Sequence, residues 1–106
     1  MKLPKSVKIG CHKYSIVIDD KIANGEGVEY WGLCNRGEFK ITISKECFKH
    51  ESILANTILH ECLHAIWAER GLNHQENPPE ELIVTLLSNG IQQLYADNPQ
   101  LRKYLP

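Results

Sequence analysis

Nowhere does this 106-residue chain stay apolar for anything near the roughly 18 residues that a membrane span requires. Nor does one sign of charge dominate: 12 Lys and Arg face 13 Asp and Glu, a net charge of −1. A near-neutral chain has no global field to hold a polyanion, which disfavours nucleic acid as the main partner. Residues 1–5, Met-Lys-Leu-Pro-Lys, lead into no apolar signal segment, so the expectation is a protein that is not exported. Cys11, Cys34, Cys47 and Cys62 contain no C-x-x-C pair, which leaves a structural zinc ribbon without support. Four cysteines suffice for two disulfides, but without an export signal the expected state is four free thiols, mostly buried, in a reducing cytosol. Internal repeats and linkers are also missing. Hydrophobic residues make up 42% and charged residues 24%, ordinary globular usage, and the length suits one domain over residues 1–106.

What is present divides into two halves by period. Over residues 6–19, Val7 and Ile9 alternate with polar residues and then Tyr14, Ile16 and Ile18 do the same, which predicts two short strands. Gly10 marks a bulge or a tight turn between them. Residues 19–27 carry Asp19, Asp20, Asn24, Gly25 and Gly27 and are expected to be a loop, with a weak third strand over residues 28–33. Asn35-Arg36-Gly37 is a turn signal, and residues 39–44 alternate strictly, with β-branched residues in the middle. From about residue 50 to residue 70 the apolar positions Ile53, Leu54, Ile58, Leu59, Cys62, Leu63, Ile66 and Trp67 step by three and four, which is helical. Gly71 is a natural stop. After a polar stretch, Pro78 and Pro79 suit the start of a second helix, with Leu82, Ile83, Leu86, Leu87, Ile91 and Leu94 expected on its buried side and Pro99 forbidding continuation. Strands first and helices after predict an α+β fold: a small antiparallel sheet of three or four strands followed by two packed helices.

The chemistry-bearing motif is His60-Glu61-Cys62-Leu63-His64, an H-E-x-x-H inside the stronger helix. Side chains four apart lie one above the other on a helix face, so two imidazoles can address one Zn²⁺. Glu61 is rotated about 100° from His60 and can lie beside the ion without binding it, placed to take a proton from water there. Three fixed positions match by chance often enough that a surface helix carrying two histidines is the bland alternative. The mid-helix position, the small neighbours Ala65 and Ala68, and a carboxylate pair at the start of the next helix favour the metal.

An open catalytic zinc site takes a third protein ligand. Six residues after His64 stands Arg70, so the longer histidine motif is not completed, and His74 lies ten residues on. Glu80 and Glu81 remain, if the second helix folds back on the first. Glu81 shares its face with Val84, Thr85 and Ser88, of which Thr85 and Ser88 permit close approach and hydrogen-bonding support for a ligand. Glu80 sits with Ile83, Val84 and Leu87, nearer the centre of the apolar face, and in Asn77-Pro78-Pro79-Glu80 has the position of a capping-box acid. The expected ligand set is His60, His64 and Glu81, with Glu80 as the alternative to Glu81. Trp31 and Trp67 are expected in the core, Cys62 as a buried thiol and not a ligand, and Lys45, Lys49 and His50 as a solvated helix start.

His60-Glu61-x-x-His64 followed by Glu81-x-x-Val84-Thr85-x-x-Ser88 resembles the gluzincin metallopeptidases. The layout is similar to ImmA/IrrE-type proteases and to short zincin-like proteins of bacteriophages, and the resemblance covers residues 39–99. It implies a zinc-dependent peptidase of a bacterial or phage-infected cell's cytoplasm, acting on a protein or peptide. His60, His64 and Glu81 would be the ligands, and Glu61 the general base and then the acid toward the leaving amine. It also implies that residues 39–44 form the sheet edge to which an extended substrate adds as a further strand. Thr85 and Val84 depart from the usual Asp or Asn and small residue, which weakens the expected support for a ligand histidine. No clear transition-state stabiliser stands out; Tyr30, His74 and Tyr95 are the candidates. The rival function is a non-catalytic module in which zinc pins two helices for protein binding. A DNA-associated SprT-like protease fits less well, because those enzymes use a later histidine and this chain has no basic tail.

Overall fold

The computed structural model describes residues 3–23, 29–72, 79–99 and 101. The chain runs β1 (Ser6–Ile9), β2 (His12–Asp19), β3 (Ile22–Ala23), β4 (Glu29–Tyr30), β5 (Gly32–Asn35), β6 (Lys40–Ser44), a 3-10 turn (Lys45–Lys49), α1 (Glu51–Glu69) and α2 (Glu80–Asp97). Four strands form one sheet in the order β1-β2-β6-β5, and β3 and β4 pair separately. The class is α+β, as the strand-then-helix order predicts.

The sheet is mixed and not purely antiparallel. β1–β2 and β5–β6 are antiparallel, but the central pair β2–β6 runs parallel, with Ser15 opposite Lys40 and Asp19 opposite Ser44. Side-chain alternation encodes which residues face the core, not which strand lies alongside. The parallel ladder begins where Ser15 N–H donates to the Phe39 carbonyl at 2.9 Å.

Local chemistry explains the element boundaries. Gly10 turns between β1 and β2 at φ 60, a left-handed conformation that glycine adopts at least cost. Asn35 holds the β5–β6 turn from both ends of its amide: its Oδ1 accepts from Glu38 N–H at 3.1 Å and its Nδ2 donates to the Glu38 carboxylate at 2.6 Å. Phe39 closes that turn at φ 52, so β6 starts one residue later than its alternation suggests. There the Phe39 ring stacks on His12 at 4.2 Å and meets Tyr14 edge-on. α1 ends at Glu69 with Gly71 left-handed at φ 74, and α2 stops at Asp97, two residues before Pro99. The loop residues 24–28, the polar stretch 73–78 and the expected cap Asn77 lie outside the described residues; α2 is capped by Pro79, which makes no side-chain hydrogen bond.

The core lies between the sheet and α1. Ile41 and Ile43 of β6 are fully buried with Tyr14, Cys47, Leu54 and Ala65. Trp67 is buried as expected, but Trp31 is 55% exposed at the β4–β5 junction, where only one layer is available to cover it. Of the cysteines, all free, only Cys47 is fully buried; Cys34 and Cys62 are half-buried and Cys11 is exposed.

α2 departs most from its predicted face. Leu82, Leu86, Leu87 and Leu94 are exposed, and its buried residues are Val84 and Ser88. The helix pair is joined by amides instead: Asn56 Nδ2 donates to Asn89 Oδ1 at 2.9 Å and to Gln92 Oε1 at 2.7 Å, while Gln92 Nε2 donates to the Ser52 carbonyl at 2.8 Å. Among the described residues α2 packs mainly on α1, so a leucine stripe wider than that contact remains in solvent. Among the described residues, no helix is long and apolar enough to cross a membrane.

Glu69, at the end of α1, ties the helix to β2. His12 Nδ1 lies 2.9 Å from both of its carboxylate oxygens, and Tyr14 Oη donates to it at 3.3 Å. The hydrogen bond from His12 holds the Glu69 carboxyl below its ordinary range. A carboxyl depressed by folding stabilises at pH above its unfolded value, about 4.3, and that contribution disappears as pH falls through the folded value. In urea unfolding at pH 6 and at pH 3, wild type should therefore be more stable than Glu69→Gln at the higher pH and lose that margin at the lower. An equal margin at both would remove this carboxylate from the acid sensitivity of the fold.

Candidate metal centre

The residues of the H-E-x-x-H motif diverge by their angular positions on α1. The stripe of α1 pressed on the sheet is Leu54, Thr57, Glu61 and Ala65, so Glu61 points inward and is 7% exposed. His60 and His64, one turn apart, leave that stripe toward α2, with their Nε2 atoms 3.2 Å apart. Because α2 returns antiparallel to α1, its first turn comes level with the histidines. The Glu81 carboxylate lies between both imidazoles, Oε1 at 3.0 Å from His60 Nε2 and Oε2 at 3.0 Å from His64 Nε2. One donor atom from each of His60, His64 and Glu81 falls within 4.8 Å of the others, a set able to hold a metal ion.

Glu80 faces the other side of His64. Its Oε2 is 2.6 Å from His64 Nδ1, and the same oxygen is paired with the Arg36 guanidinium. The two candidate carboxylates thus divide between the two nitrogens of one ring: Glu81 on the Nε2 side shared with His60, and Glu80 on the Nδ1 side. The Ser88 hydroxyl, expected to support a ligand, turns to its own helix. Ser88 is fully buried and its Oγ donates to the Thr85 carbonyl at 3.1 Å, within its own helix.

Arg36 is the residue that sequence reasoning missed. It appears there only as part of a turn signal, and no spacing links it to a motif 24 positions later. In space the β5–β6 turn puts its guanidinium 3.4 Å from His64 Nδ1.

Charge distribution follows from burial. Desolvation, reinforced by the negative charge of Glu81, pushes the Glu61 carboxyl up to about 7. A cation at the neighbouring ligands would favour its charged form and offset part of that rise. Burial also lowers His64, which keeps its imidazole neutral and a ring lone pair available at neutral pH. Cys34 is raised to about 11 by burial and by Glu61, and Cys62 is raised for the same reasons, so both remain protonated thiols and poor ligands.

The histidines, Glu61 and Glu81 line one cleft of about 690 Å³, whose opposite wall is β5 and the preceding Tyr30 and Trp31. The strand implied for that wall, residues 39–44, is not an edge: β6 has β2 on one side and β5 on the other, so its backbone groups are already paired. β5 is the terminal strand, and its Gly32, Leu33 and Cys34 line the cleft. Of the candidate stabilisers, Tyr30 lies at the cleft, Tyr95 lines a separate hollow by Glu51 and Gln92, and His74 is outside the described residues. No protein-family profile, curated protein or solved structure matches the chain.

The approach of β5 to α1 depends on Gly32. A Cβ there would stand 2.8 Å from Thr57 Cγ2 and 2.9 Å from Glu61 Cγ. Gly32→Ala should destabilise the fold by about 1–3 kcal/mol through overpacking, with Thr57→Ser restoring part of the loss. Chemical unfolding checks this; an unchanged midpoint for Gly32→Ala would mean that strand and helix are not in tight contact.

Proposed function

We propose that the chain is a minimal zinc metallopeptidase that hydrolyses peptide bonds of a protein or peptide. The carrying observation is the convergence of His60 Nε2, His64 Nε2 and the Glu81 carboxylate within 4.8 Å, in a cleft that Glu61 also lines. Two imidazoles and a carboxylate are a donor set suited to zinc with a position left open, whereas structural zinc sites are generally closed by four protein ligands. His60, His64 and Glu81 would hold the ion, which supplies Lewis acidity, polarising a carbonyl and acidifying water.

The remaining work falls to the chain. Glu61 takes the proton of the attacking water and passes it to the departing amine. A carboxyl raised toward neutrality by its surroundings is suited to that exchange, since an effective general acid–base has a pKa near working pH. The outer edge of β5 can receive an extended peptide by main-chain hydrogen bonds, which would lay it along the cleft beside Glu61.

The exposed leucines of α2 favour a second reading, a zinc-stabilised module that binds another protein and cleaves nothing. The two readings separate on Glu61.

Elemental mass spectrometry of purified protein should find near one zinc per chain in wild type and none in Glu81→Ala. No zinc in wild type after reconstitution would reject both readings. Glu61→Gln should retain zinc and lose cleavage of a peptide library by about 100-fold or more, the contribution of a positioned general base. Zinc with undiminished cleavage in Glu61→Gln would reject the assigned role, and zinc with no cleavage by wild type would support the binding module.

A further inference from the structure

We infer that Arg36 and Glu80 are positioning residues for the metal centre: together they fix the ring of His64 and the first turn of α2, so that the three ligand atoms converge. This rests on the metal reading above and adds two residues that the H-E-x-x-H motif does not contain.

The argument starts from the two nitrogens of His64. A neutral imidazole donates from one nitrogen and accepts at the other. Both nitrogens face a carboxylate oxygen, Nδ1 that of Glu80 at 2.6 Å and Nε2 that of Glu81 at 3.0 Å, and the shorter contact assigns the proton to Nδ1. Nε2 then carries the lone pair, and Nε2 is the atom that faces His60 Nε2 at 3.2 Å and Glu81 Oε2 at 3.0 Å. Histidines that bind metals commonly donate their other N–H to a carboxylate, which sets the tautomer and the ring orientation.

Arg36 completes the arrangement. Its guanidinium is a pure donor and stays charged, and it pairs with the Glu80 carboxylate. It is 3.4 Å from His64 Nδ1, donor beside donor, and both groups converge on one Glu80 oxygen. The guanidinium is carried by the β5–β6 turn, so this contact attaches the start of α2 to the sheet. That attachment matters because Glu81, the next residue, is 72% exposed at its side chain and Pro79 gives the helix no side-chain cap. Holding Glu80 therefore sets where Glu81 arrives.

With 31% and 22% of their side-chain surface in solvent, Arg36 and Glu80 form a pair that contributes less to folding than a fully buried one. A merely structural role predicts no change in metal affinity beyond any change in stability, whereas a positioning role predicts a loss of affinity at constant stability. The test uses the full chain stripped of metal. Zinc affinity is measured by competition with a chromophoric chelator for wild type, Arg36→Met, Arg36→Lys, Glu80→Leu, the Arg36→Met/Glu80→Leu double variant and Glu81→Ala. Unfolding midpoints and the His64 tautomer, from imidazole ¹⁵N shifts in mildly alkaline buffer, are read on the metal-free proteins.

We expect Arg36→Met and Glu80→Leu each to bind zinc about 10–100-fold more weakly than wild type, with metal-free midpoints little changed. Arg36→Lys should recover part of the affinity, and the double variant should be no weaker than the weaker single, because the pair acts as one unit. His64 should be Nδ1-protonated in wild type and a mixture of tautomers in Glu80→Leu. Wild-type affinity and tautomer in both single variants would overturn the inference while leaving the metal reading intact. A loss of affinity matched by a collapse in midpoint would overturn it in favour of a folding role. Absence of zinc binding by wild type would overturn both.

Discussion

Glu61 is a carboxylate on the face of a helix that packs against a sheet, and the rest of the structure is arranged around that burial. Its neighbours on the stripe are Leu54, Thr57 and Ala65, and the strand opposite presents Gly32 at the point of contact. A larger residue at Gly32 would lift β5 from α1 and let water reach the carboxyl. With glycine there, desolvation raises Glu61 toward neutrality and the edge of β5 comes alongside the histidine-bearing flank of the same helix. The inward acid and the outward-turned imidazoles are thus consequences of one rotation of α1 about its axis: the turn that buries residue 61 necessarily aims residues 60 and 64 past the sheet.

The second helix contributes by where it starts more than by what it buries. Its buried residues are Val84 and Ser88, the amides of Asn89 and Gln92 bond to α1, and at its first turn adjacent glutamates take opposite sides of His64. Directional hydrogen bonds specify register where a greasy seam would allow the helices to slide. Asn56, four residues before His60, bonds to Asn89 and Gln92, eight and eleven residues beyond Glu81, which sets the two helices in one antiparallel alignment.

Much of this was legible before any coordinates. The three-and-four spacing from Ile53 to Trp67 marked α1, Gly10 and Gly71 marked its own turn and the helix end, and H-E-x-x-H pointed to its two histidines. What failed to be legible has a common physical origin: periodicity reports which side of an element is apolar but not what lies against it. That is why the leucines of α2 are expected inside and are exposed; the edge position of residues 39–44 is implied only by the resemblance, and they are central, while Trp31 is exposed. Thr85 and Ser88 are what favour Glu81 over Glu80 in the sequence; in the structure Ser88 is buried and donates within its own helix, while Glu80 and Arg36 lie at the Nδ1 side of His64. Arg36 could not have been singled out, because its relation to His64 exists only through the parallel and antiparallel pairings that place the β5–β6 turn.

The parallel pairing of β2 with β6 also orders assembly in time. Ser15 meets Lys40 across 25 positions of chain, so this contact closes a long loop, whereas the β1–β2 and β5–β6 ladders join strands near in sequence. Loop closure is an entropic cost met before the contact returns anything, and it slows the steps that depend on it. His60, Glu61, His64, Glu80 and Glu81 of the candidate site lie on the C-terminal side of that closure, and Arg36 lies within the loop it closes. The β1–β2 hairpin precedes β6 in the chain and must wait for it, and the candidate site is carried mostly by the helices that follow the strand completing that pairing.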